Sequence, residues 1–244
     1  MKKVKKGRVT LIRALSKLGI ASRVEAEALV LSGQVKVHGT IEKNPNRSVN
    51  PDSAHIEVLG KKAKKGETIV VLFHKPNSCL TTKRDPEGRK TIYDFLPKEF
   101  HSLHPVGRLD MHTTGLLLLT NDTRFSSYMT DPVNEIPRTY VVTVRGEVLD
   151  EGIKKMTAGL RVDGDELRAK DAKILKASGK ESRLEITLLE GKNREIRRLC
   201  LAIGNEVIAL KRISFGEYDL GALKAGEYNE VHLKNNVADR TQGG

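Results

Sequence analysis

The chain has 244 residues and a net charge of +12, and 38% of its residues are hydrophobic but only 4% are aromatic. No segment is apolar over the length that a membrane-spanning helix needs, and no apolar stretch follows the basic N-terminus as in a secretory signal, so we expect a cytoplasmic, globular protein. The two cysteines, Cys79 and Cys200, lack the spacing of a disulfide framework or a zinc site, which argues for reduced thiols and against a metal.

The positive charge is concentrated at the N-terminus. Residues 1–65 contain 15 Lys and Arg against 5 Asp and Glu, a balance of +10, whereas residues 66–244 are close to neutral at +2. A small basic module in front of a larger, nearly neutral one is typical of an anchor for an anionic polymer. Each lysine run taken alone is equally compatible with a solvated tail or linker.

The N-terminal module has the pattern of two helices and a strand. Leucines recur at helical spacing over residues 11–18 and a glycine follows, which predicts the first helix and its end. A second helix is predicted to begin at Ser22, which can form a capping box with Glu25. Alternating valines followed by His-Gly in residues 35–39 indicate a strand that enters a tight turn.

This layout resembles the small αL RNA-binding domain shared by ribosomal proteins and RNA-modifying enzymes, over about residues 8–57. In that family the two helices present basic side chains to the backbone of a structured RNA. The resemblance implies the same role here for Arg13, Lys17, Arg23 and Lys36, although each alone could equally be an exposed helix charge. Residues 58–67 carry four lysines and two glycines without a periodic pattern and are predicted to be a linker.

A second domain is expected over residues 68–234, followed by a frayed tail at residues 235–244. The predicted elements, in chain order, are strands at TIVVLFHKPN, GLLLLT and RTYVVTVRG, a helix at DEGIKKMTAGL, a strand at SRLEITLLEG, a helix at NREIRRLCLAIG and a strand at EVIALKRISFG. Strands and helices do not alternate regularly, and RLEITL alternates like a strand buried on one face. We therefore expect an α+β domain with a mixed, mostly antiparallel sheet.

An aspartate stands just ahead of the most apolar of these strands. The continuous run Leu116–Leu119 is typical of a strand buried on both faces, so Asp110 is expected in a loop at the edge of the core. An aspartate in a loop is most often a turn-former, so its position alone does not indicate catalysis.

The surrounding motif changes that interpretation. The stretch HPVGRLDMHTTGLLLLTND resembles the catalytic motif of the RNA pseudouridine synthases, specifically of the ribosomal RsuA-type (RsuA/RluB-like) family. Three further stretches match the same family in order, over about residues 71–220: KPNSCLTTKRDPEGRKTIYDFLP, PRTYVVTVRG and GKNREIRRLCLAIGNEVIALKRISFGEYDL. The resemblance implies that Asp110 carries out the conversion of uridine to pseudouridine.

The conversion of uridine to pseudouridine requires few catalytic groups. The N1–C1′ bond breaks, the detached base turns, and C5 is joined to C1′, with no net oxidation or group transfer, so no cofactor is expected. A carboxylate can begin the reaction by attacking the nucleoside or by removing a proton from the sugar. The sequence leaves both routes open.

The resemblance also implies roles for residues around Asp110. The family's third motif supplies an arginine, here Arg197, which we expect to form an ion pair with Asp110 inside a water-poor pocket, because a buried carboxylate needs a nearby cation. Tyr140 stands at the family's base-stacking position and is expected to pack against the target base and to assist proton transfer at C5. Three further arginines are expected to contact RNA: Arg108, Arg194 and Arg198.

Some details of these motifs differ from the family or have no evident chemistry. Met111 and His112 depart from the aromatic-plus-small pair expected just after the aspartate, so the resemblance does not extend to the contacts that flip the nucleotide. Lys75, in Lys-Pro, is interpreted as structural. The helix that carries Arg197 is predicted to begin near Asn193.

The expected partner is ribosomal RNA, free or in a ribosome assembly intermediate, bound by a monomer. The segment from GKNREIRRL onward resembles the large-subunit enzymes more than the small-subunit ones. Two other functions stay open: a non-catalytic RNA-binding assembly factor and a pseudouridine synthase for transfer RNA. The presence of Asp110, Tyr140 and Arg197 disfavours the first, and the αL module together with GRLD and REIRR disfavours the second.

Overall fold

The computed structural model describes residues 7–21, 23–51, 53–62 and 68–232. These residues form two compact units: one extends up to Ile69 and includes Thr120–Phe125 and His232, and the other comprises Val70–Leu119 and Ser126–Val231. None of the helices in these ranges combines the length and apolar character that crossing a membrane requires. The predicted tail at residues 235–244 lies outside the described residues, and the predicted domain boundaries, 8–57 and 68–234, stay predictions.

The N-terminal part confirms the two predicted helices and the strand that follows them. Its elements are β1 (Val9–Thr10), α1 (Leu11–Lys17), α2 (Arg23–Leu31), β2 (Val35–Val37), β3 (Thr40–Ile41), β4 (Ser48–Val49), β5 (Ile56–Val58) and β6 (Lys61–Lys62). Four of the strands form a sheet in the order β3-β2-β5-β6, and β1 pairs with β4. Ser22, the predicted cap of α2, lies outside the described residues.

Both helices bury one face in the core of this unit. Gly19 and Gly33 follow the helices with φ of +72° and +74°, the left-handed conformation that glycine adopts at little cost. Each fully buried aliphatic side chain contributes roughly 1.5–3 kcal/mol relative to an exposed one. The fully buried residues include Leu11, Ala14, Leu15, Ala26, Val30, Val35 and Ile56.

Part of the predicted linker is a β-hairpin. Val58 of β5 pairs with Lys61 of β6, and Leu59 and Gly60 between them have φ of +52° and +76°. Two central residues with positive φ form the tight turn that matches the twist of paired strands. The linker prediction is therefore wrong for residues 58–62, because strands of two or three residues carry too short a pattern to detect. Residues 63–67 lie outside the described residues.

Most of the remaining strands belong to one nine-stranded sheet. They are β7 (Ile69–Lys75), β8 (His104–Pro105), β9 (Thr113–Thr120), β10 (Arg138–Arg145), β13 (Asp171–Ala177), β14 (Glu181–Leu188), β15 (Val207–Phe215), β16 (Tyr218–Asp219) and β17 (Tyr228–His232). Their order is β13-β14-β10-β15-β9-β7-β17, with β16 beside β15 and β8 beside β9. A separate hairpin is formed by Leu160–Val162 (β11) and Asp165–Leu167 (β12).

The helices are α3 (Thr123–Thr130), α4 (Asp150–Ala158) and α5 (Glu195–Ala202), with short 3₁₀ helices at Ile92–Phe95, Lys98–Ser102 and Pro132–Asn134.

The predicted α+β class and the mixed, mostly antiparallel sheet are confirmed. Strand β10 runs antiparallel to both β14 and β15, whereas β15 and β9 run parallel. The run Leu116–Leu119 in β9 is completely buried, as its composition predicts. The loop that carries Asp110 leads directly into this central strand.

Helix α5 begins later than predicted. It starts at Glu195 rather than near Asn193, and Arg194 precedes it with φ of +49°. Positive φ is uncommon for a residue with a Cβ, and the turn at Arg194 changes the direction of the chain just before the helix. Arg194 therefore does not lie on a helical face beside Arg197.

Candidate active site

Asp110 occupies a turn between β8 and β9. The turn is closed by its backbone: the Thr113 N–H donates to the Asp110 main-chain oxygen at 3.0 Å. The carboxylate has no hydrogen-bond or ion-pair partner among the described residues, and it is exposed. A turn-forming aspartate would use its side chain to bond its own backbone. This carboxylate is available to react with a ligand.

Asp110 faces a cavity of about 600 Å³. The cavity is lined by Leu80, Thr81, Thr82, Arg108, Leu109, Asp110, Met111, His112, Arg194, Arg197 and Ile208. Basic side chains and a free carboxylate share this space with an apolar wall, a composition that suits a negatively charged polymer with an aromatic base. The water-poor pocket predicted from the sequence is not present in the free protein, since Asp110 is exposed.

Lys75 holds the Asp110 loop in place. Its side chain is fully buried, and its ammonium donates to the main-chain oxygens of Pro76 at 3.1 Å, Met111 at 3.1 Å and Thr113 at 2.9 Å. Burial lowers the pKa of Lys75 to about 8, while the nearby Cys79 and Asp110 act in the opposite direction. The structural role inferred from the sequence is thus a specific one: Lys75 fixes the backbone on the C-terminal side of Asp110.

Thr81 fixes the other side of the loop. Its hydroxyl donates to the Leu109 main-chain oxygen at 2.8 Å and accepts from the Leu109 N–H at 3.3 Å. Asp110 is therefore held between two anchored backbone segments. No sequence pattern indicated this role for Thr81, because its partner is 28 residues away.

Arg197 lies on the wall of the same cavity and does not form the predicted direct ion pair. Its guanidinium donates to the main-chain oxygens of Val207 at 3.3 Å and His112 at 3.5 Å, and among the described residues no carboxylate lies within 4 Å of it. Desolvation, and then repulsion from Arg194, lowers the pKa of Arg197, whereas attraction to Asp110 raises it. Arg197 and Asp110 therefore interact through the cavity rather than by contact.

The other three arginines have different surroundings. Arg108 and Arg194 both line the cavity and are exposed. Arg198 instead donates to Asp165 at 2.8 Å and to the Val162 main-chain oxygen. Its guanidinium anchors the β11–β12 hairpin to α5, and the RNA contact expected of Arg198 stays a prediction.

Tyr140 is buried in β10 and is not among the residues that line the cavity. It is in register with Ile186 of β14 on one side and Arg212 of β15 on the other. The structure brings together Asp110, Arg108, Arg194 and Arg197 of the predicted site, and leaves Tyr140 in the sheet. The predicted contact of Tyr140 with the target base stays a prediction.

A group of buried charged residues forms the framework behind the site. The guanidinium groups of Arg138 and Arg212 each lie 4.8 Å from the ring centre of Phe215, and Arg212 also donates to the Leu116 main-chain oxygen at 2.7 Å. Gly115 makes the close approach of β9 to β15 possible: a Cβ at this position would collide with the Arg212 main chain, and its φ is +99°. The sequence motifs did not indicate this packing.

Of the four residues predicted to bind RNA in the N-terminal module, two lie together in the structure. A second cavity, of about 470 Å³, is lined by Arg8, Val9, Thr10, Ile12, Arg13, Arg23 and Ser48. Arg13 and Arg23 line this cavity together with Arg8. Arg8 was not predicted from the sequence to bind RNA, and it donates a hydrogen bond to the Ser48 main-chain oxygen at 2.7 Å. Lys17 and the exposed Lys36 do not line this cavity.

Neither cysteine lies in a reactive setting. Cys79 and Cys200 are buried free thiols, and burial raises their pKa values to about 11 and about 12. In the described ranges, no group of three or more His, Cys, Asp or Glu side chains could hold a metal ion.

Comparison with known proteins identifies both parts of the chain. Residues 69–202 match the family model of RNA pseudouridylate synthases, and residues 5–54 match that of the S4 domain. The chain is 37% identical to the ribosomal large subunit pseudouridine synthase B of Bacillus subtilis, over 90% of each chain. It is 35% identical to the enzyme of the same name from Yersinia pestis, over 91% of this chain and 72% of that one.

A solved structure has the same architecture. The crystal structure of a pseudouridylate synthase superposes with a TM-score of 0.64 at 27% identity, covering 91% of this chain and 96% of that chain. The GRLD stretch that carries the free carboxylate and the REIRR stretch that carries Arg197 both fall within the matched residues. The chain is an enzyme of the RNA pseudouridylate synthase family, with an S4 domain at its N-terminus.

Proposed function

We propose that this protein converts a specific uridine of large-subunit ribosomal RNA to pseudouridine, with Asp110 as the catalytic carboxylate and without a cofactor. The observation that carries the proposal is the free Asp110 carboxylate, held by an anchored loop in a cavity that three arginines line. The names of the relatives from Bacillus subtilis and Yersinia pestis support the choice of large-subunit RNA.

The geometry suits the chemistry of the isomerisation. The target uridine leaves its stack and enters the cavity, where Asp110 attacks the nucleoside or removes a sugar proton, and the N1–C1′ bond breaks. As RNA covers the cavity it displaces water, so the attraction between the Arg197 guanidinium and the Asp110 carboxylate grows stronger and offsets part of the cost of desolvating the carboxylate. Tyr140 is proposed to reach the base from β10 when the nucleotide is bound.

The basic residues divide between two tasks. Arg108 and Arg194, exposed at the cavity, are suited to the phosphates beside the target nucleotide. Arg13 and Arg23, with Arg8 close by, are suited to an RNA segment bound by the N-terminal module, and Lys17 and Lys36 are proposed as further contacts.

A ribosomal substrate implies that the protein works in the cytoplasm, and its monomeric state stays a prediction.

One mapping experiment tests this proposal. Pseudouridine positions are compared in ribosomal RNA from cells with the protein, without it, and with the Asp110→Asn variant. We expect one large-subunit position to lose its pseudouridine in both altered strains. An unchanged ribosomal map together with a missing transfer-RNA pseudouridine would favour the other substrate class. A map that the variant fully restores would favour a non-catalytic assembly factor.

A further inference from the structure

The ring of His112 has a defined orientation at the edge of the Asp110 cavity. His112 Nδ1 lies 3.4 Å from Asn77 Oδ1, and Asn77 Oδ1 also accepts the Ser78 N–H at 2.8 Å. Because an oxygen that accepts this N–H can only be an acceptor, Nδ1 must be the nitrogen that carries the proton. In the neutral ring, Nε2 then bears a lone pair and acts as a hydrogen-bond acceptor.

The main chain at His112 is fixed as well. Arg197 Nη2 contacts the His112 main-chain oxygen at 3.5 Å, and Lys75 holds the carbonyls on both sides, at Met111 and Thr113. The anchored loop therefore presents the His112 ring at a cavity that Arg108, Arg194 and Arg197 also line.

Hydrogen-bond acceptors are scarce in this cavity. The arginines only donate, and Asp110 is needed for the chemistry. The Thr81 hydroxyl already donates to and accepts from the Leu109 backbone, and the Thr82 hydroxyl donates to the Arg84 main-chain oxygen at 3.0 Å. Among the described side chains that line the cavity, Nε2 of His112 and the Thr82 oxygen are the acceptors that remain.

Uracil requires such an acceptor at one position. Its base-pairing edge has two carbonyl oxygens, O2 and O4, and one donor between them, the N3–H. Guanidinium groups can donate to both oxygens but leave the N3–H without a partner. Cytosine has a lone pair at N3 instead, so an acceptor at this point attracts uracil and repels cytosine.

We propose that His112 is a specificity-determining residue whose Nε2 accepts the N3–H of the target uracil. This inference rests on the proposed function. Of the two available acceptors we assign the role to His112 because it lies two residues after Asp110 in the anchored loop, and because Asn77 sets its tautomer.

The isomerisation gives this contact a second use. To exchange N1 for C5 at the C1′ atom, the detached ring makes a half-turn about the axis through N3 and C6. N3 lies on that axis, so its N–H keeps its position and direction, while O2 and O4 exchange places. A hydrogen bond from N3–H to His112 can persist through the rotation, and the arginines can donate to either oxygen. His112 thus holds the detached uracil at its pivot.

The test compares two substitutions of His112 on an unmodified large-subunit RNA transcript. His112→Phe keeps a ring of similar size without nitrogen atoms, and His112→Gln places an amide oxygen near the position of Nε2. We expect kcat/KM for pseudouridine formation to fall about tenfold or more in His112→Phe, and His112→Gln to stay within about threefold of wild type. Thr82→Val, which removes the rival acceptor, tests the alternative assignment to Thr82.

A binding measurement completes the test. The mapped uridine is changed to cytidine in the transcript, and the two RNAs compete for each protein. Wild type and His112→Gln are expected to prefer the uridine RNA, and His112→Phe to bind both about equally. Equal activities of the Phe and Gln variants, or loss of preference in Thr82→Val instead, would overturn the assignment to His112 alone. A wild-type protein that forms no pseudouridine in any RNA would overturn the proposed function and this inference together.

Discussion

The ammonium of Lys75 donates a hydrogen bond to the main-chain oxygen of Met111 at 3.1 Å, from a side chain that is completely buried. The residue after Asp110, the proposed catalytic carboxylate, is thus held by a cation from the neighbouring strand β7. A buried ammonium is costly unless its donors are satisfied, and here three carbonyls satisfy them. The buried charge of Lys75 therefore stabilises the Asp110 loop.

Replacing Lys75 by Met should loosen this loop. The change leaves three carbonyls, which are buried or part-buried, without their partner, so the free energy of unfolding is expected to fall by about 2 kcal/mol or more, the range for hydrogen bonds to a charged group. Pseudouridine formation should fall as well, because the Asp110 carboxylate is no longer fixed. Urea denaturation and single-turnover kinetics provide the two measurements. A stable, fully active Lys75→Met variant would show that the three hydrogen bonds do not position the loop.

Replacing Asp110 by Asn should separate stability from catalysis. The carboxylate has no partner among the described residues, so the free energy of unfolding should change by less than about 0.5 kcal/mol. An amide is neither a base nor a nucleophile in this reaction, and we expect RNA binding to persist while pseudouridine formation disappears. Gel-shift binding and single-turnover assays on the same transcript check both parts. Substantial turnover by this variant would exclude a catalytic carboxylate at residue 110.

The parts of the structure that the sequence predicted are those encoded in short stretches of chain. The buried strand β9 follows from four consecutive leucines, and the ends of α1 and α2 follow from Gly19 and Gly33. Strand β13 was missed because most of its residues are exposed, which leaves no alternation of apolar and polar side chains to detect. Its place at the edge of the sheet is fixed by backbone pairing with β14, which no local pattern of side chains records.

The contacts within the site depend on residues far apart in sequence. Two of the three partners of Lys75 lie 36 and 38 residues away, at Met111 and Thr113, and Arg198 contacts Asp165 at a separation of 33. A motif can indicate that Lys75 matters without showing what it touches. The contact of Arg198 with the β11–β12 hairpin could not be predicted for the same reason, because the arginines next to it on the chain carry no information about a distant hairpin.

Removing the arginines of the N-terminal cavity should weaken RNA binding in a salt-dependent way. RNA phosphates release counterions when arginines neutralise them, so the slope of log affinity against log salt should decrease by roughly 0.7–0.9 for each phosphate that is no longer neutralised. For the double variant Arg13→Ala, Arg23→Ala we expect a decrease approaching twice that value, because both side chains line the same cavity. Binding is measured by titration at several salt concentrations. An unchanged slope in the double variant would contradict an RNA-binding role for this cavity.

Glu195 makes protein stability depend on pH. Its side chain is 3% exposed, one carboxylate oxygen accepts the Lys192 N–H at 3.0 Å, and the other has no partner among the described residues. Desolvation raises the pKa of Glu195 to about 7 from the ordinary value of 4.5, while Arg138 and Lys192 oppose the increase. The folded state therefore binds this proton more tightly than the unfolded state does.

The sign of the effect follows from that difference. The stabilising contribution of the protonated carboxyl is fully present below pH 4.5 and is lost as the pH rises through about 7, where the folded protein must bury a charge. Glu195→Gln keeps an acceptor for the Lys192 N–H but cannot ionise. Relative to wild type, we expect this variant to gain stability on going from about pH 5 to pH 8.5, by about 3 kcal/mol at most.

Urea denaturation at the two pH values measures this gain directly. The matched control is Glu181→Gln, which alters an exposed carboxylate at the start of β14 and should change the free energy of unfolding equally at both pH values. Pseudouridine formation by Glu195→Gln should persist, because Arg194 and Arg197 on either side of it keep their places at the cavity. If Glu195→Gln shifts stability by the same amount at both pH values, Glu195 is not protonated in the folded protein near neutral pH.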